Sequence, residues 1–128
     1  AITAYLTWLG EGLPVTHGTA AGQPRFPDRL VALGQSVARG RERVEWPCGG
    51  CHAGGSGFAG VAATFPRVPR SGDAVLTLEE YLERHAGLAW DGPEATDVAA
   101  FLGARAAGRL VQPGGDWKTV RIQGGTTK

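Results

Sequence analysis

Apolar residues recur at helical spacing in four short stretches of this chain, separated by segments rich in glycine and proline. Ile2, Tyr5, Leu6 and Leu9 share one face, which predicts a short helix over residues 2–10, ended by Gly10, Gly12 and Pro14. Residues 11–27 read as a loop, with three glycines, three prolines and few spaced apolar positions. Asp28 is placed to cap a second helix carrying Leu30, Leu33, Gly34, Val37 and Ala38 on one face, and Gly40 is expected to stop it. Arg41-Glu42-Arg43 then reads as a solvated turn rather than a binding patch.

Pro66 and Pro69 keep the following chain extended. Thr77, with Glu80 three residues later, has the form of a capping box and predicts a third helix. Its apolar face is Leu78, Tyr81 and Leu82, continued at the next turn by His85. Pro93 suits the first turn of a fourth helix carrying Val98, Phe101 and Leu102, with Gly108 as its stop. Beyond Leu110 only a weak alternation at Val120 and Ile122 remains, expected of a tail that docks on the body or on a partner. No internal repeat and no strong sheet signal is present. The expected fold is all-α. An N-terminal helix and linker fill residues 1–27, three to four helices form one small domain over 28–113, and a tail covers 114–128.

At 128 residues the chain is long enough for one domain. A domain of that size buries about two-thirds of its unfolded surface. The net charge of +1 argues against strong nucleic-acid binding or a polybasic membrane anchor. No apolar run approaches the roughly 20 residues needed to span a bilayer. With 21 glycines and 8 prolines, much of the backbone is expected to be loop.

The most specific chemistry lies in Cys48-Gly49-Gly50-Cys51-His52. Two cysteines three apart on a helical turn can add their thiols across the two vinyl groups of one porphyrin, and the histidine beside them can donate a nitrogen to the iron. Cys48, Cys51 and His52 are therefore the expected attachment site of a single haem c. A thioredoxin-like redox pair needs a βαβ context and has no use for the histidine. A zinc site needs a second ligand pair, and the chain has only 2 cysteines. A disulfide across two residues is geometrically poor. Six of the twelve residues 49–60 are glycine, which suits close approach of the backbone to a haem edge. Trp8, Trp46, Phe58, Phe65, Trp90 and Phe101 are available either to wall the haem or to fill an ordinary core. Haem attachment to this motif takes place outside the cytoplasm. A chain beginning at Ala1 fits an exported product trimmed of its signal, so the expected location is periplasmic or extracytoplasmic.

His52 fills one axial position of the iron. The other cannot be methionine, because the chain has none. The candidates are His17, His85, Lys118, Lys128, a tyrosine, the terminal amine or water. His85 is the best placed, because it extends the Leu78–Tyr81/Leu82 stripe onto the face that must cover the porphyrin. An imidazole ligates as a neutral group, whereas a lysine must first lose its proton. The competing reading of His85 is an unligated histidine beside the pocket, with His17 as the alternative ligand.

The order of segments resembles a known family. Ile2-Thr3-Ala4-Tyr5-Leu6-Thr7-Trp8-Leu9 followed by Gly12-Leu13-Pro14-Val15 looks like the helix and loop that precede the catalytic haem domain in the A subunit of the SoxAX cytochromes of bacterial thiosulfate oxidation. Gly34-Gln35-Ser36-Val37-Ala38-Arg39-Gly40-Arg41, leading up to Pro47-Cys48-Gly49-Gly50-Cys51-His52, is similar to that family's approach to its haem motif. Residues 77–85 fall where the family has its distal-ligand helix. Val98-Ala99-Ala100-Phe101-Leu102 and Gly108 resemble its closing helix. The resemblance covers residues 1–113 and is shared in outline by dihaem thiosulfate dehydrogenases. It implies a cytochrome c-like fold, His85 as distal ligand and a sulfur-oxidation context. The family's distal ligand is a cysteine thought to carry persulfide, and an imidazole cannot hold a sulfane sulfur. The family's catalysis is therefore not carried over at His85.

Three functions stand as expectations. The first is a bis-histidine electron carrier for periplasmic oxidation of thiosulfate or related compounds, working with redox partner proteins such as another cytochrome c subunit. The second is a SoxAX-like thiosulfate-oxidising enzyme subunit or domain, with Arg84, Arg67 and Arg70 attracting the anion. The competing reading of these arginines is pairing with haem propionates or exposure to solvent. The third is a haem protein that releases a weak sixth ligand to bind NO or CO.

Overall fold

The computed structural model describes residues 9–15, 27–48, 58–68, 72 and 74–115, without the side chains of residues 27–30, 46 and 47. Those residues form three α-helices: α1 at Pro27–Arg43, α2 at Leu78–Ala86 and α3 at Pro93–Arg105. A π-helical turn, Val44–Cys48, prolongs α1, and a single 3-10 turn covers Val61–Thr64. Among the described residues pairing between extended segments is limited to two isolated bridges, Pro14 with Leu110 and Arg67 with Leu76. The described part is all-α.

Helix α1 departs from expectation at both ends. It begins at Pro27, a residue suited to the first helical position, so Asp28 lies inside the helix rather than capping it. Gly40 does not stop it. The helical backbone runs through Gly40 and Arg41-Glu42-Arg43 and carries on to Cys48. The reason lies across the domain on α3. A Cβ added at Gly40 would come within 1.9 Å of the Asp97 carbonyl oxygen and 2.8 Å of the Phe101 Cβ. Glycine stands there because two helix backbones meet there.

The same crossing is tied by polar side chains. Ser36 Oγ donates to Asp97 Oδ1 at 2.6 Å, while Arg39 Nε and Nη2 donate to the two carboxylate oxygens at 2.9 and 3.2 Å. Asp97 is buried, so its lone pairs need these donors. The Arg39 hydrogen bonds hold the Asp97 carboxyl below its ordinary pKa. Burial opposes that shift, and Ser36 together with the charges of Arg39 and Arg43 reinforces it. Arg43 meets Glu94 at 2.7 Å on the exposed flank, where an ion pair contributes little.

The core gathers Val44 from the π turn, Phe65, Leu78 and Leu82 from α2, and Val98, Phe101 and Leu102 from α3. Each such side chain contributes about 1.5–3 kcal/mol relative to leaving it exposed. Helix α3 starts at Pro93, as its sequence indicates, but ends at Arg105 with Ala106 as its cap. Gly108 lies beyond the helix and leads the chain into pairing with residues 12–15. There Val15 N donates to Arg109 O at 2.7 Å, Val111 N to Leu13 O at 2.8 Å and Gly12 N to Val111 O at 2.8 Å. Part of the expected linker is thus fastened to the end of α3. Residues 2–8 of the expected first helix lie outside the described residues, while Leu9 is helical and Gly10 begins the turn that follows. The tail beyond residue 115 lies outside the described residues.

Two outcomes test this crossing. Ala is intrinsically the better helix former by about 1 kcal/mol. Even so, Gly40→Ala should destabilise the protein by about 1–3 kcal/mol in chemical denaturation, because α1 and α3 must separate. A stabilising effect would contradict the close approach. Asp97→Asn should also lower stability. Because the folded carboxyl's pKa lies below its unfolded value, the deficit should be full above about pH 5 and shrink as pH falls below about 4. A deficit that grows toward low pH would contradict the assignment.

Candidate functional site

Helix α2 is positioned by its own ends. Thr77 Oγ1 accepts from Glu80 N at 3.3 Å, and Glu80 Oε1 accepts from Thr77 N at 3.2 Å, which closes the expected capping box. Glu79 and Glu80 sit in the first turn and Arg84 and His85 in the last, each complementing the helix dipole. Gly87 ends the helix in the left-handed conformation at φ 71°, its N–H bonding Glu83 O at 3.0 Å. This stop was readable from the sequence as a glycine just past the last apolar-face residue. Within these limits Leu78 and Leu82 point into the core, Tyr81 is half-buried and His85 is exposed.

These residues border a cavity of about 370 Å³. Val44 and Cys48 reach it from the π turn, and Phe58, Val61, Phe65 and Arg67 from the segment after the glycine-rich loop. Leu78, Tyr81, Leu82, His85 and Ala86 come from α2, and Val98 and Leu102 from α3. Volume and lining are those of a small-molecule or cofactor site, predominantly apolar with a few polar groups. Much of the apolar core therefore surrounds this space. Val98 and Thr64 are the largest side chains fully enclosed, while Leu78 and Leu82 keep 8% of their surface where they border the cavity.

Of the residues that the sequence picks out, Cys48 and His85 are brought together on this cavity. Cys48 is a free, partly buried thiol at the end of the π turn, a local widening of the helix often found at functional sites. Cys51, His52, His17, Arg70, Lys118 and Lys128 lie outside the described residues, as do Trp8 and most of the glycine-rich loop. No group of three or more His, Cys, Asp or Glu side chains gathers among the described residues. Phe58 and Phe65 do wall the cavity, whereas Phe101 packs in the core cluster and Trp90 is exposed.

No family model, curated protein or solved structure matches the chain. No helix among the described residues is long and apolar enough to cross a membrane.

Among the described residues Arg67 is the one lining residue of fixed charge. Its guanidinium lies 5.5 Å over the Phe65 ring, and Nη2 donates to Gly115 O at 2.9 Å. Residues 112–115 are bonded to the same wall, Gln112 N to Ala63 O and Gly114 N to Thr64 O, both at 2.8 Å. Arg84, expected beside His85, is exposed. Asp97 is the polar residue that sequence reasoning missed. Its partners lie 58 and 61 positions away, and no local pattern marks it.

Thr77→Ala should cost about 0.5–2 kcal/mol and raise amide exchange through α2 more than through α3. Equal loosening of both helices would show that the box does not position α2 on its own.

Proposed function

We propose that this protein is a monohaem c-type cytochrome of the periplasm. Cys48 and Cys51 bind the haem, His52 and His85 hold its iron, and the chain transfers electrons in the oxidation of thiosulfate or a related sulfur compound. The observation that carries the reading is that Cys48 and His85, from separate helical elements, border one apolar cavity. The residues fit the group. Among the described residues, a thiol and an imidazole reach a space otherwise walled by aliphatic and aromatic side chains, with the cation Arg67 at its border.

Haem supplies a one-electron couple, and two imidazole ligands favour the ferric state relative to a histidine–methionine pair. Val44, Phe65, Leu82, Val98 and Leu102 provide apolar walls for the site. The capping box and Gly87 fix the length of α2 and so the height at which His85 stands. Redox partners, another cytochrome c subunit among them, exchange electrons with the loaded protein.

The sulfur context rests on the resemblance to the SoxAX A subunit. With His85 where that family has its cysteine, electron transfer is favoured over catalysis. Arg67 adds to this preference, because its guanidinium is already engaged by the Phe65 ring and Gly115 O.

The ferric protein should give the low-spin EPR and near-infrared signature of two imidazoles at neutral pH, unchanged by thiosulfate. His85→Ala should turn it high-spin and open the reduced protein to CO. A bis-imidazole signal that survives His85→Ala would move the ligand to His17, and a high-spin wild type would contradict the carrier reading. Thiosulfate turnover with an artificial acceptor, lost in Arg84→Ala, would instead establish an enzyme.

A further inference from the structure

The cavity wall contains an aromatic stack that ends on the candidate ligand. Tyr81 and His85, one helical turn apart on α2, have ring centroids 5.4 Å apart and planes inclined by only 16°. Residues four apart on a helix lie on the same face, and an offset, near-parallel arrangement at this distance is a favourable one for two rings. Tyr81 is held in turn. Phe65, 5% exposed, meets it edge-on at 5.3 Å and 61°, and the Arg67 guanidinium covers the Phe65 ring. The stack therefore runs from a buried wall, through a half-buried phenol ring, to an exposed imidazole.

We propose that Tyr81 is the positioning residue for His85, fixing the plane in which the imidazole presents its nitrogen to the cavity. The inference rests on the haem reading above and deepens it. An exposed histidine has two side-chain torsions to settle before it ligates, and a flat neighbour anchored from behind settles them in advance. In this proposal the Tyr81 ring, rather than its hydroxyl, does the positioning. An axial imidazole held in one plane gives a single set of ferric g-values, because those values depend on the angle between the two ligand planes. It also leaves the iron more slowly.

The test compares the full-length haem-loaded wild type with Tyr81→Phe and Tyr81→Leu, using ferric EPR g-values and the rate at which cyanide displaces the distal ligand. Tyr81→Phe should keep wild-type g-values and rate. Tyr81→Leu should shift or broaden the g-values and speed cyanide binding about two- to tenfold, the effect expected on losing one ring pair. Should Tyr81→Leu fail to fold by circular dichroism, Tyr81→Met provides the same comparison. Wild-type behaviour in the non-aromatic variant overturns the proposal, as does an equal change in Tyr81→Phe. A wild type without the bis-imidazole signal overturns the haem-ligand reading and this inference together, whereas a normal wild type with an unaffected Tyr81→Leu overturns this inference alone.

Discussion

Two helices can touch backbone to backbone only where a side chain is missing, and in this protein that place is Gly40 against Asp97. The approach sets the angle and depth at which α1 lies on α3, and the Ser36–Asp97–Arg39 hydrogen bonds hold it there. The placement of the next segment depends on this contact. The helical backbone leaves the crossing at Arg43, widens into the π turn and delivers Val44 to the core and Cys48 to the cavity. From the other partner, α3 extends Val98 and Leu102 toward the same space.

The remaining walls are assembled around that frame. Helix α2 packs on α3 through Leu78 and Leu82, while residues 112–115 brace the Ala63–Arg67 side by backbone hydrogen bonds to Ala63 and Thr64 and by the Arg67 guanidinium. The core borders a cavity whose polar lining, among the described residues, consists of a thiol, an imidazole, a phenol and a guanidinium. The proposed haem would suit such a lining, with Cys48 as an attachment residue and His85 as a ligand to its iron.

Legibility from the sequence tracked the range of the interaction. Thr77 with Glu80, and Pro93 at the start of α3, act within one helical turn, so their types and spacing announced them. The place of His85 on the cavity side of α2 was legible for a related reason, since helical periodicity carries the Leu78 stripe to it. Gly40 misled because one residue type serves both as a helix stop and as a site of close helix contact, and only the position of α3 decides between them. Asp97 resembled any acidic residue near a helix start, because its partners are remote in the chain. The pairing of residues 12–15 with 108–111 was hidden too, since backbone hydrogen bonds between distant segments leave no side-chain signature. The glycine-rich stretch after Cys48 was expected to hug a cofactor, and most of it lies outside the described residues.

In the proposed reading the sulfur context rests on the resemblance to the SoxAX A subunit alone, while the cavity bordered by Cys48 and His85 is the reason to propose a cofactor between α2 and the π turn. The most direct measurement is the intact mass of the purified, denatured chain, read together with its visible absorbance. A polypeptide carrying one covalently attached haem, its colour retained through acidified organic solvent, is the result this account predicts. A colourless chain of bare polypeptide mass, or a pigment that passes into the solvent, would contradict it.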